Sequence, residues 1–291
     1  MTRIAALCAG CACLFLAGMP ALAAPAAVTS RQTGEALVAA APGDVDACLA
    51  YATWLTSSGE LQEAAAVLEA GCHRVDAPGQ ALLALADVYL KLGKLTRAEA
   101  AAREALVLLP DSSAAHLCIG DIYRDLDWPQ SALDSYETAL KLAPGLTQAR
   151  VNLVAVLAKS GRSVEARERC LAFIDATPGE PQLWLSLGQV FEDQDKPREA
   201  FTTYGQVISL DATSAEAWAR QGRLYCRFGQ FASAADACRR ALEIDGGNLV
   251  AHAWLGTACS YLGDQDQARR HAQIAEAGGM DMSGVWRKLN Q

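Results

Sequence analysis

The chain has 291 residues, of which 52% are hydrophobic, and a formal net charge of −8 at pH 7. This length suits one large domain or an elongated array of repeats. An acidic chain lacks the general electrostatic attraction to nucleic acid or to anionic lipid that a basic chain has, so neither is expected as a partner.

The chain begins like an exported precursor. Arg3 is followed by the apolar run IAALCAGCACLFLAGM and then by PALAAPAA. A positive end, an apolar core and an A-x-A site form the secretory signal pattern, so residues 1–24 are predicted to be a signal peptide cleaved near Ala23 or Ala24. A membrane anchor is the alternative, but the apolar run is short for a span. Lipidation is disfavoured because LAGM has Met19 where a lipobox has its cysteine.

A 34-residue repeat organises most of the remaining chain. Seven alanines recur at this interval without insertion or deletion, and the glycines of predicted loops keep the same step where they are present. Chance does not preserve such a register, so we predict seven repeats over residues 45–282. The aligned residues are Ala64, Ala98, Ala132, Ala166, Ala200, Ala234 and Ala268, with the loop glycines Gly59, Gly93, Gly161, Gly229 and Gly263.

Within each unit the apolar residues are spaced as on two amphipathic helices. Positions 4, 7, 8 and 11 form one stripe on a first helix, and positions 20, 24 and 27 form one on a second helix. Small residues at positions 8 and 20 let the helices approach closely, and the glycine near position 15 permits a tight turn. A single hairpin of this kind cannot bury its own faces, so each one needs neighbours.

This pattern resembles the tetratricopeptide repeat, a helix-turn-helix unit of 34 residues. The sixth unit, AEAWARQGRLYCRFGQFASAADACRRALEID, has Trp218 at position 4, Gly222 at position 8, Tyr225 at position 11 and Ala241 at position 27. The resemblance implies an all-α fold, a right-handed superhelical solenoid whose first helices line a concave groove. The closing prolines of the pattern are Pro110, Pro144 and Pro178.

The same register sets the predicted boundaries. Residues 25–44 are predicted to hold a lone second helix in TSRQTGEALVAAAPGD, and residues 283–291 a truncated first helix in SGVWRKLN. Trp286 falls at position 4, where it would cover the last open apolar face as a terminal cap. No room is left for a separate catalytic domain. The predicted repeats span 45–78, 79–112, 113–146, 147–180, 181–214, 215–248 and 249–282.

The sequence contains no catalytic, phosphate-binding or dinucleotide-binding motif. We therefore predict that the protein is not an enzyme and uses no cofactor or metal. His116 and His252 both occupy position 4 and are interpreted as residues of the hairpin core. Cys170, Cys238 and Cys259 fall on core positions and are interpreted as small buried apolar residues.

Seven cysteines remain after the predicted signal peptide, so at least one stays unpaired within a monomer. Cys48 and Cys72 occupy positions 4 and 28 of the first unit. Antiparallel helices bring the start of the first near the end of the second, so a disulfide between them is possible and would brace the first repeat. A metal site of Cys72 with His73 is disfavoured because further ligands at suitable spacing are missing.

The resemblance places the partner site in an inner groove formed by positions 2, 5, 9, 12 and 13. The residues at position 5 form an apolar ladder that fades toward the C-terminus. The other groove positions add acidic residues in the middle repeats and a basic patch at Arg223 and Arg227. We predict a groove for an extended or helical polypeptide; the alternative is that position 5 completes the core and the charges form a solvated face. The predicted groove residues are Leu49, Leu83, Asp87, Leu117, Asp121, Asp125, Val151, Leu185, Gln189, Glu192, Arg220, Arg223 and Arg227.

A short alanine-rich signal is typical of bacterial precursors, so the protein is expected in the periplasm or at the envelope. The resemblance implies a non-enzymatic scaffold that binds a protein or peptide, and exported proteins similar to this one commonly help assemble pili or secretion systems. Two alternatives stay open. One is an adaptor subunit of an envelope enzyme complex, such as cytochrome c maturation or polysaccharide export. The other is a redox protein that uses its cysteines, which a free-thiol count would test.

Overall fold

The structure, a computed structural model of the chain, describes residues 28–41, 44–72 and 79–290. The predicted signal peptide, residues 1–24, lies outside the described residues. Across those ranges every helix or strand element is an α-helix, and no helix there is long and apolar enough to cross a membrane. The helices are α1 (Arg31–Ala40), α2 (Val45–Ser57), α3 (Leu61–Cys72), α4 (Gly79–Lys91), α5 (Leu95–Leu108), α6 (Ser113–Asp125), α7 (Pro129–Leu142), α8 (Thr147–Lys159), α9 (Ser163–Ala176), α10 (Pro181–Asp193), α11 (Pro197–Leu210), α12 (Ala215–Arg227), α13 (Phe231–Ile244), α14 (Leu249–Leu262), α15 (Gln265–Ala277) and α16 (Ser283–Leu289).

The chain divides into two compact units, Met1–Leu109 and Pro110–Gln291. In the first unit α2 packs on α3 and α4 packs on α5, with α1 against α2. In the second unit the pairs run from α6 and α7 to α14 and α15, and each pair packs against the next one along the chain. The predicted all-α class is therefore confirmed.

Tight turns join the two helices of each pair. The five predicted loop glycines all have a positive φ, between 69° and 86°. At the same turn position Asp127 (φ 58°) and Asp195 (φ 56°) replace glycine. Aspartate is one of the few other residues that adopt this left-handed conformation without a large penalty. The turn geometry is thus kept where the glycine is missing.

The lone helix predicted before the first pair is present as α1. Its Gly34 lies directly against the ring of Tyr51, where a Cβ would overlap the Cδ2 atom. Arg31 of the same helix forms ion pairs with Glu60, at 3.2 Å, and with Glu63. Gly34 permits the close approach of α1 to α2. The ion pairs of Arg31 connect α1 to Glu60 and Glu63, which belong to the turn and the second helix of the following pair.

In repeats three, five, six and seven, the aromatic side chain at position 4 bonds the first helix to the loop that precedes it. Its ring N–H donates to the carbonyl six residues earlier. Tryptophan and histidine perform this role equally, because both present an N–H at the edge of an aromatic ring. The interpretation of His252 as a core residue is confirmed, since it is 7% exposed. The bonds run from Trp184 to Pro178 (2.9 Å), from Trp218 to Ala212 (3.1 Å), from His116 to Pro110 (3.0 Å) and from His252 to Gly246 (3.1 Å).

The C-terminal end of the second unit is closed by α16. Val285 and Leu289 are buried in the same core as Ala272 of α15, and Trp286 packs against it partly buried. The indole N–H of Trp286 also donates to Glu276, at 3.2 Å. The predicted capping role of this segment is therefore seen in its contacts. The cysteines predicted to be core residues, Cys170, Cys238 and Cys259, are all at most 1% exposed.

Within a pair, positions 8 and 24 face each other and their sizes compensate. Gly120 lies against the ring of Tyr136, and Gly188 lies against the ring of Tyr204. Both rings are fully buried. A Cβ on Gly188 would lie 2.4 Å from Cε1 of Tyr204, well inside van der Waals contact. Glycine at position 8 is therefore required wherever tyrosine stands at position 24.

Gly188→Ala is expected to lower the free energy of unfolding of the second unit by about 1–3 kcal/mol, because the buried ring must shift. This loss outweighs the gain of about 1 kcal/mol that alanine has over glycine inside a helix. Gly145→Ala is the matched control, since a Cβ there meets no atom within 4 Å. Urea unfolding followed by circular dichroism measures both variants, and equal midpoints would contradict the steric argument.

Candidate partner-binding groove

The predicted groove residues of the first unit lie on α2 and α4. Leu49 and Leu83, both at position 5, are half-buried. Asp87 follows at position 9 of α4 and pairs with Lys91 on the same helix, at 2.8 Å. This part of the groove surface therefore offers two partly exposed leucines and a carboxylate that already has a cation beside it.

The ladder continues in the second unit on α6, α8 and α10. Leu117, Val151 and Leu185 are half-buried, as expected for a partly exposed apolar floor. Beyond them Ala219 and Ala253 are buried, at 0% and 5% exposure. The floor thus sinks below the surface at α12 and α14, which agrees with the predicted fading of the ladder.

Asp121 on α6 connects three helices of the second unit through its side-chain hydrogen bonds. Asp121 Oδ1 accepts hydrogen bonds from the Tyr136 hydroxyl (2.7 Å), the Asn152 side-chain amide (2.6 Å) and Arg124 (3.0 Å). These donors come from α7, α8 and α6. Burial raises the pKa of Asp121, and the bonds from Tyr136, Arg124 and Asn152 oppose that rise. The neighbouring Asp125 is exposed and forms an ion pair with Arg124, at 3.0 Å.

The predicted basic patch is bonded to acidic residues. The side chain of Glu192 on α10 is 7% exposed, and its Oε2 contacts both Arg220, at 3.1 Å, and Arg223. Arg220 also contacts Glu216, at 2.8 Å. A carboxylate shared by two guanidinium groups joins α10 to α12 across the groove surface.

Arg227 follows the same pattern at the turn. It contacts Asp195 at 2.6 Å, the aspartate with positive φ described above. The two arginines of the patch and Arg220 beside them therefore face three carboxylates, those of Glu192, Glu216 and Asp195. The predicted positive surface is replaced by a neutral set of ion pairs between neighbouring first helices.

A cleft opens between α8 and α10. It has a volume of about 430 Å³. Its opening follows from Ala155 and Ala158, which stand at positions 9 and 12 of α8, where the other first helices of this unit have larger side chains. Two predicted groove residues, Val151 and Gln189, lie in its wall. The lining residues are Val151, Val154, Ala155, Ala158, Lys159, Ser186, Gln189, Val190 and Asp193.

The cleft was not singled out from the sequence. The signal that could have found it is the pair of alanines at positions 9 and 12, which occurs in the fourth repeat. Its two edges carry opposite charges, Lys159 and Asp193, which do not form an ion pair with each other in the described structure. The nearest carboxylate to Lys159 is Asp127, at 3.9 Å. The cleft therefore has an apolar floor and one charged residue on each of its two edges, Lys159 and Asp193.

The two cysteines predicted to form a disulfide lie close together. Cys48 is buried at the start of α2, and a Cβ on Gly71, the residue before Cys72, would lie 3.3 Å from its Sγ atom. Burial, followed by the nearby Cys48 thiolate, raises the pKa of Cys72. The helix ends meet as the sequence predicts, and the disulfide itself stays a prediction. His73 lies outside the described residues, and no cluster suited to a metal ion is found within them.

Comparison with known proteins identifies the family. The sequence profile of the tetratricopeptide repeat matches residues 57–113, 83–146, 119–181 and 185–248, more than half of the chain. The chain belongs to the tetratricopeptide repeat family. The predicted resemblance is thereby confirmed, and the paired helices are the helices of that repeat.

Curated relatives share the repeats over part of their length. The chain is 28% identical over 129 residues to the general transcriptional corepressor ssn6 of Schizosaccharomyces pombe, covering 44% of this chain and 12% of that protein. It is 25% identical over 158 residues to the tetratricopeptide repeat-containing protein trd-1 of Caenorhabditis elegans, covering 54% and 20%. It is 28% identical over 130 residues to the Protein O-mannosyl-transferase TMTC3 of Homo sapiens, covering 40% and 14%. The chain spans a fifth or less of these relatives.

Solved structures share the fold. Pseudomonas aeruginosa pilF superposes with a TM-score of 0.61 at 19% identity, over 73% of this chain and 97% of that one. Yeast Tom70 gives 0.72 at 14% identity, over 89% and 56%. A tetratricopeptide repeat protein from Parabacteroides merdae gives 0.63 at 16% identity, over 89% and 98%. At these identities the likeness is one of fold alone.

Asp121→Ala is expected to destabilise the second unit, because it leaves the buried Tyr136 hydroxyl and Asn152 amide without their acceptor. Each unsatisfied group costs about 1–3 kcal/mol. Asp125→Ala, on the same helix, removes one exposed ion pair and is expected to cost less than about 1 kcal/mol. Thermal unfolding compares the melting temperatures of the two variants, and Asp121→Ala is expected to melt at the lower temperature. Equal melting temperatures would show that Asp121 is a solvated charge that contributes little to stability.

Proposed function

We propose that the protein is a non-enzymatic scaffold that binds a segment of a partner polypeptide in the cleft between α8 and α10. The observation that carries this proposal is the cleft itself, about 430 Å³ with an apolar floor at Val151, Val154 and Val190. A volume of this order falls in the range of protein ligand sites. The tetratricopeptide repeat fold supports a protein–protein interaction scaffold.

The ion pairs of the neighbouring helix α12 limit what a charged partner can gain. Arg220 and Arg223 are bonded to Glu192, so a carboxylate of the partner would have to compete with an internal one. Exchange of one ion pair for another releases little free energy, because the existing pair is lost when the new one forms. Affinity is therefore supplied by apolar side chains, and the charges select the register of the partner.

The size of the cleft limits the affinity it can give alone. Burial of one aliphatic side chain contributes about 1.5–3 kcal/mol, and the cleft has room for a few such groups. Association costs at least about 4 kcal/mol in lost freedom. The cleft is thus an anchoring point, and the half-buried ladder residues Leu117 and Leu185 on the adjacent helices α6 and α10 extend the contact surface.

Ala155→Trp is expected to fill the cleft and abolish partner capture, because the indole occupies the space of the partner's side chains. Ala155 is exposed, so the helix tolerates the change. Ala172→Trp is the matched control, since Ala172 is an exposed alanine on α9 of the same repeat and does not line the cleft. Purified chains are incubated with solubilised envelope, and the retained proteins are quantified by mass spectrometry.

A protein retained by the wild type and by Ala172→Trp but lost with Ala155→Trp supports the cleft. Equal retention by both variants would move the binding surface elsewhere, for example to the second helices. These substitutions test the site more cleanly than charge reversal at Arg223 or Arg227, because those arginines also join α12 to α10 and to its turn.

The proposal also covers the compartment in which the protein acts. The chain is exported, acts in the periplasm or at the envelope, and serves assembly of a pilus or a secretion system. Support comes from the signal pattern of residues 1–24. The fold shared with Pseudomonas aeruginosa pilF is compatible with such a role, although at 19% identity it speaks for the fold alone. The identity of the captured partner distinguishes this role from that of an adaptor for an envelope enzyme complex.

Export predicts a shortened chain in the envelope fraction. Edman sequencing of the full-length gene product expressed in a Gram-negative host is expected to begin at Ala24 or Pro25, because the A-x-A site precedes these residues. The matched variant Ala23→Arg places a charge in the cleavage site and is expected to keep the unprocessed N-terminus. A wild-type chain that retains Met1 in the cytoplasmic fraction would contradict export.

A further inference from the structure

Two imidazole rings meet in the last helical pair. Nδ1 of His252 on α14 and Nδ1 of His271 on α15 are 2.8 Å apart, and the ring centroids are separated by 5.1 Å. His252 is buried and His271 is half-buried. The contact joins the two helices of one pair, close to Ala272, a buried residue of the core that α16 closes.

The protonation state of this contact follows from a third group. Nε2 of His252 lies 3.1 Å from the Gly246 carbonyl, which can only accept a hydrogen bond, so Nε2 carries a proton. A neutral imidazole has one N–H, and Nδ1 of His252 is therefore an acceptor. Nδ1 of His271 must donate to it. The contact is a single hydrogen bond between two neutral rings of fixed tautomer.

We propose that this histidine pair is an acid-sensitive latch that holds α15 to α14 at neutral pH and loosens when His271 gains a proton. That proton binds Nε2 of His271, so the hydrogen bond between the two rings is kept. It places a positive charge beside Arg239 of α13 and Arg270 of α15, and the repulsion among these like charges loosens α15.

The surroundings determine the sign of the pH effect. Burial, followed by the electrostatic influence of His252, Arg239 and Arg270, lowers the pKa of His271 from 6.5. The unfolded chain therefore binds the proton at a higher pH than the folded chain does. By linkage, stability falls as the pH falls through about 6.5, and it is fully present above that value.

Release of α15 also affects the end of the molecule. The cap helix α16 packs on both α14 and α15, and its Val285 and Leu289 are buried in their shared core. Loosening of α15 would thus uncover an apolar face that is closed at neutral pH. The latch is independent of the cleft on α8 and α10, and failure of either proposal leaves the other intact.

Hydrogen–deuterium exchange of the full chain at pH 7.5 and pH 5.5, corrected for intrinsic exchange rates, tests the latch. In the wild type, protection of α15 is expected to fall at pH 5.5 by a factor of about 2 to 10 relative to α8, because the repulsion of a new positive charge by two guanidinium groups costs about as much as one hydrogen bond. In His271→Gln the side-chain amide still donates to His252 and does not titrate, so this relative loss is expected to disappear.

His116→Gln is the matched control, because His116 bonds the Pro110 carbonyl and has no imidazole partner. It is expected to keep the full acid response of α15. An unchanged α15-to-α8 ratio in the wild type, or an acid loss that persists in His271→Gln, would overturn the proposal. Titration of the His271 imidazole in the wild type by NMR gives a second readout that needs no variant: a pKa of His271 below 6.5 supports the latch, and a pKa at or above 6.5 contradicts it.

Discussion

Within each of the two compact units, the described helical pairs have apolar side chains on two faces, and neighbouring pairs remove them from water. This dependence explains why the polar contacts of the second unit run between neighbouring first helices rather than outward. Asp121 accepts from Asn152 of the next first helix, and Glu192 holds two arginines of the next one. Such contacts cannot form unless the apolar faces have already brought the helices together. The ion pairs select the alignment of a stack whose stability comes from burial.

The spacing of small and aromatic residues was sufficient to predict the helices, the turns and the cap. A strict interval carries this information because each helical pair meets the same steric demands: a small residue where two helices touch, and positive φ where the chain reverses. The family profile confirms the prediction. Even the two turns without glycine obey the register, since Asp127 and Asp195 stand at the same position and adopt the same conformation.

The groove was harder to predict because it depends on side-chain partners across the repeats. The resemblance assigns positions 9 and 12 to the groove, but whether Arg223 is available to a partner depends on Glu192, 31 residues earlier in the sequence. The position of the cleft likewise depends on two small residues of α8 seen against the neighbouring α10. Residue type alone indicates a charged surface, whereas the neighbouring helices decide that most of these charges are already bonded.

The two turn aspartates show a longer period in the chain. Repeats three and five share glycine at position 8, tyrosine at position 24, aspartate at the turn and proline at the start of the second helix, whereas repeats four and six share cysteine at position 24 and glycine at the turn. Each turn aspartate contacts a basic residue of the following repeat, Asp127 with Lys159 and Asp195 with Arg227. The unit that repeats these contacts is therefore two hairpins long. Lengthening this part of the array by two hairpins at a time preserves every such pairing, while inserting one hairpin would leave a turn aspartate or a basic residue without its counterpart.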